Sequence, residues 1–473
     1  MKNIESRMVL GAVLLAAGSA GAQPHETLDA RLAPGAAGGL TSDQVATRAR
    51  ESSFDAAAKT EALKAADARL EQAQVAYYPK LTLTARYTRL SPVTQPVLAL
   101  GTTGGAAGGS TTPFSFPAPL DLTVLQAGLD IPLTDYILRI SNTYAAASRN
   151  KRAATLDAEA AKLKAALDGR QFYYAWLRAK AQLTVEERAL DQAKGHLEDA
   201  RHSFDVGTAS KADVLTTESQ LASAELVLER AKNVVIVAEE RIRLAMNDSS
   251  GQPYAIGENL SADIPLLPAS DNLVALRAEA LDKRLEIRAL DETAWSLRSE
   301  AKAARASYFP RIDAFGDLIY ANPSQRIFPQ SPVFTGTWDV GVQLVWTPND
   351  ALNGKGLGAE SDARAAQTEM QKAELKNSVR LEVMQAYQAV REAEISLQTT
   401  KRGLDAAEEA YRVRRELFRS GRSTSVELTD SQVQLIRASI DAINARANLR
   451  AAGASLNHAT GRDVPPAMLA DSK

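Results

Sequence analysis

Short segments in which apolar and polar residues alternate are the clearest pattern along the chain. In the sharpest one, every second residue from Trp338 to Trp346 is apolar, and most residues between them are polar. Three further segments show the pattern over 81–88, 125–133 and 312–320, and the last of these is the weakest. Successive side chains of a strand point to opposite faces. The alternation therefore predicts four β-strands, each with one apolar face.

Two other segments carry apolar residues at a strict seven-residue spacing. In the first, a row runs from Val214 to Ile242, and an alanine-rich row follows three residues further on. The segment 428–459 repeats this arrangement. Two such rows predict helices that pack as left-handed coiled coils. The segment 138–204 has no proline, and as a helix it would be roughly 100 Å long, which is too long to be buried without further copies of the chain.

The chain contains two copies of one unit. Tyr77-Tyr78-Pro79-Lys80-Leu81 recurs as Tyr308-Phe309-Pro310-Arg311-Ile312, and Phe204-Asp205-Val206-Gly207 recurs as Phe418-Arg419-Ser420-Gly421. Each unit has the predicted order helix, strand, loop, strand, long helix, turn and long helix. We therefore divide the chain into a first repeat at 23–247, a linker at 248–270, a second repeat at 271–460 and a tail at 461–473.

The first 22 residues have the pattern of an export signal. Lys2 and Arg7 flank a short apolar run, and Ala20-Gly21-Ala22 fits a cleavage site that would leave Gln23 as the first mature residue. A retained anchor is the alternative, although the run is shorter than the roughly 20 residues that a membrane-spanning helix needs. No later segment has 18 consecutive apolar residues, so a chain that crosses a membrane would have to do so with strands.

Composition narrows the chemistry further. The formal net charge is −2 and there are no cysteines. The charge gives no sign of a nucleic-acid surface, and the absence of cysteine excludes thiol catalysis, disulfides and a lipidated cysteine. Only four histidines are present, and His196 and His202 are six residues apart, on different faces of a helix. We therefore expect no catalytic residues, no cofactor and no metal site.

The spacing of two tryptophans favours a membrane over a soluble sheet. Trp338 and Trp346 lie on one strand face about 26 Å apart, at roughly 3.3 Å per residue. This approximates the distance between the two aromatic girdles of a membrane β-barrel. A half-buried soluble sheet gives the same alternation, but it has no use for this spacing. Four strands cannot close a barrel, and an open edge is costly in lipid, so the chain must oligomerise if it spans a membrane.

Taken together, these features resemble the TolC-like outer-membrane factor family over nearly the whole mature chain. The resemblance rests on the Tyr-x-Pro segments, the two Phe-x-x-Gly segments with their downstream acids, and the ending 455–461. It implies a mixed α/β membrane protein in the outer membrane, a homotrimer with a twelve-strand β-barrel, four strands per chain. It also implies a periplasmic antiparallel α-helical coiled-coil barrel, a periplasmic adaptor protein and an inner-membrane transporter such as an RND or ABC pump.

The resemblance also indicates candidate gate residues at the periplasmic tip, where the helices turn. The family's acidic constriction aligns with Glu427 and Asp430, and a first-repeat acid aligns with Asp213. Phe418 occupies the position of a tip tyrosine but lacks its hydroxyl. Ser423 takes the position of the family's gating arginine, and Arg422 is one place away. Gly207 and Gly421 are candidates for contact with the adaptor. These are our candidates: Asp430, Glu427, Asp213, Phe418, Arg422, Gly207 and Gly421.

A simpler explanation competes at the same tip. Ser210 with Asp213 and Thr424 with Glu427 are capping boxes, which need no gate role. Gly207 and Gly421 are expected to end helices in the left-handed conformation.

Two other functions compete with a channel. An enzyme is disfavoured because no serine–histidine–acid or zinc motif occurs. A periplasmic coiled-coil scaffold would keep the helices but would not need the girdle. The sequence does not assign a substrate.

Overall fold

The computed structural model describes residues 39–92, 98–99, 113–114, 119–259, 272–328 and 330–470. The predicted export signal lies outside these ranges, as do most of the first-repeat loop and half of the predicted linker. None of the helices in the described part of the chain has the length and apolar character needed to cross a membrane.

The first repeat begins with helices and then alternates between strands and helices. Its elements are α1 (Ser42–Ser52), α2 (Phe54–Val75), β1 (Lys80–Arg89), β2 (Leu98–Ala99), β3 (Pro113–Phe114), β4 (Asp121–Pro132), α3 (Leu133–Asp135), a π-helical turn (Tyr136–Ile140), α4 (Ser141–Asp205) and α5 (Lys211–Ala245). The predicted long helix is thus confirmed: α4 begins three residues after the predicted start at 138 and ends at Asp205. The π-turn carries the chain without a break from the sheet into α4.

The second repeat follows the same order. Its elements are α6 (Leu273–Lys283), α7 (Leu285–Arg305), a short 3-10 helix (Ala306–Tyr308), β5 (Arg311–Asn322), β6 (Thr335–Val345), α8 (Pro348–Arg419), α9 (Ser425–Ala459) and α10 (Pro466–Ala470). α8 has 72 residues and α9 has 35. Pro466 begins α10 in the tail, because proline fits the first turn of a helix.

The four long strands form one antiparallel sheet in the order β1-β4-β5-β6. The two repeats meet at β4 and β5, where Leu125 pairs with Tyr320. β1 and β6 are the edges of this sheet. Two boundaries differ from the predicted ones. Leu133 belongs to α3 and Trp346 follows β6, because Pro132 and Pro348 start the helical segments that leave the sheet.

One face of the sheet is apolar on all four strands. Leu83, Leu129, Leu318 and Trp338 lie on this face, and all of them are exposed. The other face carries polar groups such as Gln126, whose side chain donates to Asp317 at 2.9 Å. The four predicted strands are confirmed, and β5 shares the apolar face although Phe315 and Ile319 lie on the polar one.

The break in the alternation of β5 at Phe315 has a local explanation. Phe315 lies on the polar face opposite Gly341. Its ring occupies the space that a Cβ on residue 341 would need, at 2.7 Å. A glycine on one strand thus accommodates an aromatic ring on the next, and the strand runs its full 12 residues.

The long helices lie side by side. Near the sheet the order is α2, α4, α7, α8, and further away it is α5, α4, α9, α8. α4 and α8 therefore run through both sections, while shorter helices exchange places between them. The buried residues of α5 are Thr217, Leu228, Val235 and Ile242. All four belong to the predicted rows, so the coiled-coil prediction is confirmed.

The first and second repeats share a core near the middle of the helices. Trp176 and Tyr173 of α4 are fully buried against Ile242 of α5 and Ile443 of α9. The Tyr173 hydroxyl donates to the carbonyl of Leu40 at 2.9 Å. Burial of this size stabilises by about 1.5–3 kcal/mol per large side chain. This core packs α5 and α9 against the same long helix, α4. The ends of α5 and α9 at the hairpin turns lie away from the sheet.

Candidate gate at the hairpin tips

Both helical hairpins turn through the same backbone structure. Gly207 has a φ of +79° and Gly421 a φ of +72°. In each case the next amide nitrogen reaches back to a carbonyl five residues earlier, from Thr208 to Ser203 and from Arg422 to Leu417, both at 2.8 Å. This pattern ends a helix and requires a residue that tolerates positive φ. The predicted left-handed caps are confirmed.

The helix after each turn begins with a capping box. The Ser210 hydroxyl accepts from the amide of Asp213, and the Asp213 carboxylate accepts from the amide of Ser210 at 3.0 Å. Thr424 and Glu427 repeat the arrangement, with 3.1 Å between the Thr424 amide nitrogen and the carboxylate. The simpler explanation of these two acids therefore holds for both, since each satisfies the free amides of a helix start.

Asp213 also joins the two hairpins. The Ser425 hydroxyl, in the first turn of α9, donates to the second carboxylate oxygen of Asp213 at 2.9 Å. The Ser210 hydroxyl and amide, and then Ser425, hold the pKa of Asp213 below its usual range. A carboxylate with this many donors is favoured in its charged form. Asp213 thus belongs to a contact between the tips as well as to its own cap.

Glu427 is held within its own hairpin. The Ser423 hydroxyl donates to it at 2.7 Å, and Arg414 of α8 lies at 3.5 Å. The Ser423 hydroxyl first, then the Thr424 amide and Arg414, lower the pKa of Glu427. Both partners of this ion pair are about half exposed, so the pair contributes little to stability.

Asp430 lies one turn further along α9. It is exposed, and it makes no hydrogen bond or ion pair with another described residue. It lines an open groove of about 590 Å³ between α8 and α9 together with Glu427, Arg414 and Gln434. Glu427 and Asp430 of the second repeat therefore line one groove, and Asp213 is not among the residues that line it.

The sheet forms a second candidate surface. Trp338 is 69% exposed near one end of β6, and Trp346 is 54% exposed just beyond the other end. Tyr87 and Tyr320 are exposed on the same face and near the same end as Trp338. The sequence did not single out these two tyrosines, because neither strand alone shows which ends of the four strands are level. Aromatic side chains at both ends of an apolar face are typical of a membrane-facing sheet.

Comparison with known proteins assigns the family. The family model described as "Outer membrane efflux protein" matches residues 45–248 and 276–462. The chain belongs to the outer membrane efflux protein family. The two matched ranges follow the two repeats described above.

Individual relatives of this family are distant. The toluene efflux pump outer membrane protein TtgC of Pseudomonas putida is 23% identical over 276 residues, which cover 56% of this chain and 54% of TtgC. The toluene efflux pump outer membrane protein TtgF of the same species is 28% identical over 145 residues, 30% of this chain and 28% of TtgF. The chain thus spans about half or less of the length of the curated relatives it matches.

Solved structures establish the fold of this family member. The channel CusC is 16% identical, with a TM-score of 0.73, over 89% of this chain and 92% of CusC. The CmeC outer-membrane channel of Campylobacter jejuni is 15% identical, with a TM-score of 0.70, over 90% of this chain and 89% of CmeC. The mostly helical fold with a four-stranded antiparallel sheet is thus that of TolC-like channels.

Two tip candidates, Phe418 and Arg422, lie at the turn between α8 and α9. Phe418 is half buried in the last turn of α8, with no hydroxyl to bond. Arg422 is exposed, and its side chain reaches only Ser420 of its own turn, at 3.5 Å. Arg414 is the arginine that faces Glu427. Among the described residues, no group of three or more histidine and carboxylate side chains could hold a metal ion.

Sequence reasoning missed the contacts that cross between the hairpins. The Thr429 hydroxyl donates to Gln220 of α5 at 3.1 Å, and Tyr411 of α8 contacts His196 of α4. These residues carry no local pattern, because their partners lie more than 200 positions away. Only the offset of the repeats could have placed them at the same level.

Proposed function

We propose that this chain is one third of a homotrimeric outer-membrane channel, the passive exit duct of a tripartite efflux or type I secretion system. The observation that carries the proposal is the apolar sheet face with open edges. β1 and β6 have no strand partner on their outer sides in the described chain, while the face between them exposes Leu83, Val342 and Trp338.

Both features call for further copies and for lipid. Unpaired backbone groups cost several kcal/mol each in a bilayer core, so an edge strand there must find a partner. β1 has 10 residues and β6 has 11, and they run antiparallel to one another. β6 of one copy can therefore continue onto β1 of the next. Three copies close twelve strands, which is within the range of membrane barrels.

The helices support the same assembly. α5 exposes Leu226, Ile236 and Leu244 on its outer side. At the other edge, α8 exposes Met370 and Leu381. Apolar residues in such rows are buried when helices pack against neighbours. Three copies would pair these edges and form a periplasmic helical tunnel below the barrel.

Energy for transport would come from partners. We assign transport energy to an inner-membrane transporter of the RND or ABC type, as the family resemblance implies. A periplasmic adaptor would join the two at the hairpin tips, and Gly207 and Gly421 are the candidate contacts. The export signal at 1–22 would direct the chain across the inner membrane, and mature protein would be located in the outer membrane.

The second-repeat acids are the proposed gate. Three-fold symmetry would place three copies each of Asp430 and Glu427 near the tunnel axis. A ring of carboxylates attracts cations and repels anions. Asp430 is the better candidate of the two, because it caps no helix and pairs with no described residue.

Single-channel conductance in planar bilayers tests the proposal. Wild type is compared with Asp430→Ala and with a deletion of residues 419–423, which opens the tip. We expect discrete cation-selective openings, with selectivity reduced in Asp430→Ala. If Asp430→Ala leaves the openings unchanged, Asp430 is not part of the gate. If neither wild type nor the deletion variant shows any openings, the channel is contradicted.

Fractionation tests the scaffold alternative. A periplasmic scaffold would appear in the soluble fraction, whereas we expect mature protein in outer membranes. A scaffold also leaves the apolar sheet face unexplained.

A further inference from the structure

One titratable side chain lies between the two hairpins, well inside the tips. His196 of α4 is half buried, and its Nε2 atom lies 3.4 Å from the hydroxyl of Tyr411 on α8. The two rings meet edge to face, with centroids 6.4 Å apart. Tyr411 is only 7% exposed, so this contact is part of the packing between the first and second hairpins.

A third helix completes the contact. The side chain of Gln432 on α9 is buried beside the His196 ring, and it favours the charged form of that ring. Its amide nitrogen donates to the carbonyl of Ala189 at 3.5 Å, which leaves its oxygen as the acceptor. His196 therefore touches both helices of the second hairpin, and the three side chains close the space between α4, α8 and α9.

The hydrogen bonds of this cluster fit a neutral ring. A neutral imidazole has one donor nitrogen and one acceptor nitrogen. Tyr411 can donate to the acceptor while Gln432 accepts from the donor. Protonation turns both nitrogens into donors, so the Tyr411 hydroxyl could no longer donate to the ring and would have to turn its hydrogen away.

The surrounding charges also bear on this ring. On its own helix, Asp199 favours the charged ring, whereas Arg415 and Arg419 of α8 oppose it. From α9 the ring meets the uncharged Gln432. Burial is the main effect and, with the two arginines, it lowers the pKa of His196 below its usual range despite Asp199 and Gln432.

We propose that His196, Tyr411 and Gln432 form a pH-sensitive latch that holds the second hairpin against the first. The latch rests on the proposed channel function, since releasing the second hairpin would open the tunnel end. A histidine whose packed-state pKa is lowered favours packing above its ordinary pKa of about 6.5. That contribution is lost as the pH falls through this value and towards the lowered one. Acidic conditions therefore favour opening.

Hydrogen exchange tests the latch without requiring conductance. Exchange in 196–216 and 410–430 is compared among variants at the same pH, so that intrinsic rates cancel. Once each exchange rate is divided by the intrinsic rate at its pH, we expect local opening of wild type to increase severalfold as the pH falls from about 7.5 to 5.5. His196→Gln should remove most of this increase. His202→Gln is the matched control, because His202 is exposed on the same helix.

A second variant guards against simple misfolding. Tyr411→Phe keeps the ring but removes the hydroxyl that faces Nε2. The neutral form of His196 loses a donor, so the midpoint of the pH response should move upward. A purely structural role would change the amount of opening at every pH and leave the midpoint in place.

The outcomes separate the latch from the channel. Full pH dependence in His196→Gln, or its loss in His202→Gln, would overturn the latch. A pH-dependent opening in exchange without bilayer conductance would keep the latch and count against the channel. In conducting protein, open probability should rise at acidic pH and stay flat in His196→Gln.

Discussion

The two hairpin tips have one backbone and two chemistries. Gly207 and Gly421 end their helices at φ +79° and +72°, and each following helix starts with a capping box. The acids of these boxes then differ. Asp213 accepts from Ser425 of the other hairpin at 2.9 Å, whereas Glu427 pairs with Arg414 of its own hairpin at 3.5 Å.

The difference shows how a duplicated unit can divide its tasks. At a repeat offset of 214 residues, Arg414 corresponds to Ala200, which is buried in the packing of α4. Asp430 corresponds to Thr216. The first tip is thus built for packing, and the second carries a groove with exposed acids. We infer that the first hairpin is the fixed wall and the second the moving part.

The largest expected effect comes from core residues at equivalent levels. Leu428 is 2% exposed, and its counterpart Val214 is half buried. Leu428→Ala should cost about 2–5 kcal/mol of local stability, and Val214→Ala about 1 kcal/mol. Native-state hydrogen exchange of the two hairpins measures both. Equal losses of local stability would mean that Leu428 contributes no more to the second tip than Val214 does to the first.

The glycine turns should respond equally. A side chain at positive φ costs about 1–2 kcal/mol, so Gly207→Ala and Gly421→Ala should raise tip exchange by similar amounts. Gly195→Ala is the control. A Cβ there meets no atom within 4 Å, and alanine in a helix interior should stabilise by about 0.5–1 kcal/mol. A control as damaging as the turn variants would show that the left-handed turn is not the cause.

The contact between the tips should be weaker and pH-dependent. Ser425→Ala removes one hydrogen bond worth about 1 kcal/mol and leaves the Asp213 cap intact. Because the Asp213 pKa is lowered in the packed state, its contribution is complete above about pH 4, its ordinary pKa. It is lost as the pH falls through the lowered value. If the exchange rates of Ser425→Ala and wild type differed as much at low pH as at neutral pH, that result would contradict this contact.

The smallest expected change concerns selectivity. Arg414 partly neutralises Glu427 in the groove that also holds Asp430. Arg414→Ala should therefore raise cation selectivity, while Asp430→Ala lowers it. Reversal potentials in asymmetric salt measure both. Arg364→Ala, which removes an exposed pair with Glu360 on the same helix but outside the groove, should leave the selectivity unchanged, and an equal effect there would point to net charge alone.

Much of the fold could be predicted from the sequence, for physical reasons. The rows from Val214 and Leu428 repeat every seven residues, and the helical period places them on one buried face. Alternation placed Trp338 and Val342 on one side of β6 because the period of a strand is two. Glycine before a capping box indicated each turn, since few residues accept positive φ.

The rest depends on partners distant in sequence. Phe315 breaks the alternation of apolar and polar residues in β5, and the sequence does not show that Gly341 lies opposite it. Ser425 and Arg414 carry no motif, and their roles arise only when the hairpins lie side by side. The same holds for His196, whose sequence context is that of an ordinary helix face. Tertiary contacts of this kind have no local period to detect.

Cross-linking of the sheet edges between chains tests whether three four-stranded sheets close one barrel. The chain has no cysteine, so an introduced pair reports alone. Leu83→Cys on β1 is combined in turn with Val340→Cys, Val342→Cys or Leu344→Cys on β6, which share the apolar face. A disulfide forms only where Cα atoms come within about 7 Å. Leu83→Cys with Ala127→Cys is the control, because these residues pair within one chain.

Oxidation of outer membranes, followed by denaturing electrophoresis, gives the answer. We expect one β1–β6 pair to yield covalent species that end at the trimer, while the control pair stays monomeric. Monomers from all three β1–β6 pairs, or a ladder that continues beyond three chains, would contradict it.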